Sequence, residues 1–96
     1  MFVISLTYLK PLEQIEAQLG AHRDFLRQQY GMGIFLMSGR KVPRDGGVIL
    51  ADAETREEIE AVIRLDPFHA GGLARYDITE FVPTMTADAF AAFREE

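Results

Sequence analysis

Asp66-Pro67-Phe68-His69-Ala70-Gly71-Gly72 separates a segment with helical periodicity from one with strand alternation. Proline pushes the residue before it out of helical geometry, so the preceding helix should end at Asp66. Gly71 and Gly72 then let the chain turn before the next strand. An acid, an aromatic ring and an imidazole thus share one short connection at the end of a packed element. Such connections often carry function because a rigid scaffold positions them. A plain helix stop followed by a tight turn accounts for the same residues.

Upstream of that connection, residues 54–65 (ETREEIEAVIRL) place Ile59, Val62, Ile63 and Leu65 on a buried helical side. Asp52 or Thr55 can cap this helix, with acids in its first turn. Downstream, residues 73–82 (LARYDITEFV) read as a strand that Pro83 ends. Thr86 begins a short final helix carrying Phe90 and Phe93 on one face.

The amino-terminal half repeats the alternation of strand and helix. In residues 2–8 (FVISLTY), Phe2, Ile4, Leu6 and Tyr8 face one side and Val3, Ser5 and Thr7 the other. Lys10-Pro11 ends this strand. Residues 12–30 read as one helix whose apolar face is Leu12, Ile15, Leu19, Leu26 and Tyr30, with His22 among them. Gly20 weakens it by about 1 kcal/mol relative to alanine, and Gly31 is a natural stop. Residues 33–38 and 47–52 are short apolar runs joined by Gly39-Arg40-Lys41-Val42-Pro43-Arg44-Asp45-Gly46. That loop is most simply a hairpin connection, and it is long enough to fold over a pocket.

The order strand, helix, strand, strand, helix, strand predicts a ferredoxin-like α+β sandwich, βαββαβ with a carboxy-terminal helix. Both helices then cover one face of an antiparallel sheet. The middle strands are apolar on both sides, so the bare face must meet something. A second copy of the same sheet is the simplest candidate, giving a homodimer of the dimeric α/β-barrel type. The tail helix would cross onto the partner or cover a pocket.

Ninety-six residues suffice for one domain with one modest core. No apolar run approaches the ~18 residues of a membrane span, and the chain opens directly as a strand, without a leader-like segment. There is no cysteine, which excludes disulfides and thiolate chemistry and fits a reducing, cytoplasmic setting. A net charge of −5 without a basic stripe argues against nucleic acid as a partner.

The candidate chemistry centres on His22. A histidine on an apolar helical face is commonly a core residue with one hydrogen bond, but a buried imidazole needs partners for its ring nitrogens. Asp66 is the most plausible one. It would fix the tautomer and stabilise the protonated ring, leaving the other nitrogen as a general base. His69 can point into the same space. A metal held by His22, His69 and Asp66 ranks low, because no tight ligand motif is present, and no cofactor is expected. Ser38 can donate to a ligand or simply end a strand. Arg40 can bind an anionic group through its planar fork or lie solvated. Phe68 can stack on a ligand ring or plug the core.

The amino-terminal strand, Ala21-His22-Arg23-Asp24-Phe25-Leu26, Ser38-Gly39 and Asp66-Pro67-Phe68 together resemble the YciI-like (YCII-related) family over nearly the whole length. The resemblance implies a ferredoxin-like domain with a pocket containing a His-Asp pair, here His22 and Asp66. One relative is a dehydrochlorinase acting on a chlorinated hydroxyquinol, which implies proton transfer on small ring compounds. The loop from Arg40 to Gly46 departs from the commoner Gly-Pro form. The leading expectation is therefore an enzyme of the elimination or isomerisation type. A non-catalytic ligand-binding or structural dimer module, with the His-Asp pair as a tie, is the alternative.

Overall fold

The computed structural model describes residues 1–95. Four strands form one antiparallel sheet in the order β2-β3-β1-β4: β1 (Phe2–Tyr8), β2 (Phe35–Arg40), β3 (Gly46–Ala51) and β4 (Ala74–Glu80). This is the sheet order of the ferredoxin-like fold. Alternation along β1 decides its faces. Phe2, Ile4 and Leu6 are buried, whereas Val3, Ser5 and Thr7 are only half-buried. Register then builds the core across strands, with Ile4 opposite both Ile49 and Ile78, and Phe2 opposite Ala51. Ile15 and Ile59 come down onto this face from the helices and are fully buried. Each such side chain contributes roughly 1.5–3 kcal/mol by leaving water.

The helical layer differs from a single helix over 12–30. It is divided at Gln18 into α1 (Leu12–Ala17) and α2 (Leu19–Gly31), where Gln18 leaves helical geometry (φ −105°, ψ 4°). The break re-aims the second segment. Phe25 and Gln29 of α2 face the core, and Phe25 packs edge-on against Phe35 at 5.7 Å between ring centres. Leu12 and Tyr30, placed by periodicity on the apolar face, are 44% and 39% exposed. Leu19 and Leu26 are half-buried. Of that apolar face, Ile15 is fully buried in the core, while Leu19 and Leu26 pack against the core and also line a cavity, described below.

The second helix runs over α3 (Arg56–Ile63), and its cap is Thr55, whose hydroxyl accepts from the Glu58 N–H. The Asp66 connection is more than a stop and a turn. Asp66 caps a one-turn helix, α4 (Pro67–Ala70), with Pro67 at its first position. Gly72, at φ +64°, adopts the left-handed backbone that reverses the chain into β4. The tail forms a 3-10 helix over Asp88–Phe93 with no buried residue, and none of its described residues lines the cavity.

Candidate active site

Three glycines at the loop end of the β2–β3 hairpin, Gly39 next to last in β2 and Gly46 and Gly47 at the start of β3, line a hollow of about 700 Å³. Gly46 has no alternative there, since a Cβ would lie 1.8 Å from the Leu6 carbonyl oxygen. The opposite wall is α2, which contributes Leu19, His22, Arg23 and Leu26 at the three- and four-residue steps that share a helical face. Leu6, Ile49 and Phe68 close the apolar depth of the hollow. The volume falls in the range of small-molecule sites, roughly 300–1,000 Å³.

At the inner wall, His22 Nδ1 donates to Asp66 Oδ1 at 2.8 Å, across 44 positions of sequence. The Asp66 side chain is fully buried. Its orientation follows from helix capping: Oδ1 also accepts the Phe68 backbone N–H at 3.0 Å. Oδ2 accepts the Tyr76 hydroxyl at 2.6 Å. Three donors converging on one carboxyl group match the acceptor-only, ionised form. Burial, and then the hydrogen bond to Asp66 and its charge, push the Tyr76 hydroxyl far above its usual range, so it remains a protonated donor.

This network orients the imidazole. With Nδ1–H committed to Asp66, neutral His22 carries its lone pair on Nε2. That nitrogen has no hydrogen-bond partner among the described residues. It is not sealed off either, since the buried unpartnered side-chain atoms among those residues are Gln29 Oε1 and Thr86 Oγ1. The ring itself is held flat against Phe68, with centres 4.0 Å apart and planes 3° from parallel. A negative charge behind one nitrogen, an aromatic brace on one ring face and an unbound second nitrogen at a cavity wall are the requirements of a general base.

The remaining sequence candidates divide. Ser38 and Arg40 line the cavity. Ser38 Oγ is hydrogen-bonded to the Tyr30 hydroxyl, which ties the end of β2 to α2. Arg40 is exposed, without an ion pair among the described residues. Phe68 is 1% exposed, and it stacks on His22 as well as plugging the core. His69 does not reach the cavity. The turn of α4 carries it outward, where it is exposed and lies edge-on to Tyr76 at 5.7 Å. No group of three or more His, Asp or Glu side chains converges on a metal position among the described residues. Tyr76 escaped the sequence reading. Its signal was its parity in β4, where it stands opposite Leu6 on the core face, ten residues after Asp66.

The loop between β2 and β3 reaches the hollow through Arg44. The Tyr8 N–H donates to the Asp45 carbonyl at 2.8 Å, and Arg44 reaches Glu16 of α1 at 3.0 Å. The Glu16 hydrogen bond raises the Arg44 guanidinium above its ordinary value, so it is always cationic.

Fold and site thus define a ferredoxin-like α+β domain with a carboxylate-backed imidazole at the wall of a small-molecule-sized cavity. A family profile described as the YCII-related domain matches residues 1–82, and the chain belongs to that family. Among solved structures it is similar to the 5-chloro-2-hydroxyhydroquinone dehydrochlorinase TftG of Burkholderia phenoliruptrix AC1100, in complex with 2,5-dihydroxybenzoquinone. The TM-score is 0.70 at 17% identity, covering 84% of this chain and 93% of that one. No curated protein matches the chain. No helix among the described residues is long and apolar enough to cross a membrane.

Proposed function

We propose that the chain is an enzyme that moves a proton on a small cyclic or enolic compound, in an elimination or isomerisation. The observation that carries this reading is the unpartnered Nε2 of His22 at the cavity wall, with Nδ1 held by a buried carboxylate at 2.8 Å. In an elimination, Nε2 takes a proton from the substrate. The released electron pair forms the new π bond, and the leaving group departs with its own pair. Asp66 holds the ring and stabilises the imidazolium, and Tyr76 holds Asp66. Arg40 and Ser38 take polar substrate groups, while Phe68 fixes the plane of the imidazole. The dehydrochlorinase activity named for TftG supports this class of reaction.

The test is a panel of chlorinated hydroxyhydroquinones and enolisable ring compounds incubated in D₂O. Chloride release and deuterium incorporation are the readouts. His22→Gln is expected to abolish both while remaining folded by circular dichroism. Undiminished turnover in that variant contradicts the proposal.

A structural reading is favoured by one observation: Asp66 joins α2, α4 and β4 through three hydrogen bonds. On that reading Asp66→Asn lowers the melting temperature and alters no chemistry. Either way the protein is read as a cytoplasmic homodimer. The outer sheet face presents Val3, Met37, Val48 and Leu50, with Met37 53% and Val48 39% exposed, and a second sheet would cover them. Sedimentation equilibrium checks this, with a monomer at micromolar concentration counting against it.

A further inference from the structure

Charge is distributed unevenly around the cavity. The chain has 15 acidic side chains and 10 Lys or Arg. On the cavity wall, however, stand three guanidiniums, Arg23, Arg40 and Arg44, and a single acid, Glu16. They come from α2, the end of β2 and the loop after it. Arg44 is already compensated by Glu16 at 3.0 Å. Arg23 and Arg40 have no ion pair among the described residues, although Arg27, one turn beyond Arg23, pairs with Asp24 at 3.0 Å. Asp66 is spent on His22, Phe68 and Tyr76, and it lies behind the wall.

We infer that Arg23 and Arg40 form an oxyanion subsite within this cavity, holding a carboxylate or an ionised enol joined to an apolar ring. The inference rests on the reading of the cavity as a ligand site and names the class of ligand. Guanidinium presents a rigid fork of N–H donors that matches a planar, two-oxygen anion, and it keeps its charge at every accessible pH. Leu6, Leu19, Leu26, Ile49 and Phe68 supply the apolar surface against which a ring rests. A base that removes a proton from the ligand leaves negative charge on it, and fixed cations on the same wall stabilise that charge as it develops.

The full chain is titrated with benzoate, 4-nitrophenolate and neutral benzamide, followed by amide ¹H–¹⁵N shifts. Benzoate or the phenolate is expected to bind roughly tenfold more tightly than benzamide, with shifts at Gly39, Gly46, Gly47 and His22. Arg23→Leu and Arg40→Leu should each remove most of that preference, and Arg27→Leu should leave it intact. Raising salt from about 0.05 to 0.5 M should weaken the anions and spare the amide. Equal binding of anion and amide, or anion shifts away from the cavity, overturns the inference. His22→Gln separates it from the catalytic proposal. Anion binding should survive in that variant whether or not turnover does.

Discussion

Removing the Asp66 carboxylate in two ways separates hydrogen bonding from charge. In Asp66→Ala three donors lose their acceptor at once: His22 Nδ1, the Phe68 N–H and the Tyr76 hydroxyl. An unsatisfied buried donor costs about 1–3 kcal/mol, and Tyr76 is partly relieved by its partial exposure. The expected loss is about 3–6 kcal/mol, against a total of roughly 5–15 kcal/mol for a domain of this size. Asp66→Asn behaves differently. The Phe68 N–H is fixed by the α4 backbone and can only donate, so the amide oxygen must take the Oδ1 position. That same oxygen then still accepts from His22 Nδ1, and the amide nitrogen faces the Tyr76 hydroxyl, which rotates to accept. All three bonds survive without charge assistance, while a buried charge is removed. The net cost is about 1–3 kcal/mol. Urea denaturation at neutral pH, followed by far-ultraviolet circular dichroism, measures both. Equal losses in the two variants, or a loss below about 1 kcal/mol in Asp66→Ala, would refute the reasoning.

Two further outcomes follow from the same packing. Because the folded protein holds the Tyr76 proton while the unfolded chain releases it near pH 10, folded protein binds more protons above that pH. Stability present below pH 10 should therefore fall by about 1.4 kcal/mol per pH unit above it; Tyr76→Phe should lack that component in denaturation curves at pH 9 and 11. Gly46→Ala drives a methyl group into the Leu6 carbonyl, which is backbone and cannot swing aside. Its expected cost is about 3 kcal/mol or more, read as a drop in urea midpoint, and an unchanged midpoint would contradict the register of β1 against β3.

Strand parity carried most of the architecture. Phe2, Ile4 and Leu6 announce the core face of β1, and two helices between strand pairs leave little freedom in sheet order. Helical periodicity was less informative, because apolar side chains at a cavity wall and in a core obey the same spacing. Leu19 and Leu26 share the apolar face with the fully buried Ile15 yet line the cavity, whereas Phe25 and Gln29, outside the face that periodicity marks, are buried. The break at Gln18 carries no proline or glycine to announce it. The contact between His22 and Asp66 was legible as chemistry, since a buried imidazole needs a partner. Its third member, Tyr76, was visible only through strand register. His69 lies away from the cavity because the connection holds one turn of helix, not only a stop and a tight turn, and that turn sends the side chain outward.

The proposed chemistry requires that neutral His22 carry its ring proton on Nδ1. Long-range ¹H–¹⁵N correlation of the His22 imidazole near neutral pH, with His69 as the internal comparison, reads it directly. A proton on Nδ1 and a bare, pyridine-like Nε2 in the neutral ring is the expected result. A neutral ring protonated on Nε2 instead would mean that the lone pair points at Asp66, and His22 would then have no base to offer the cavity.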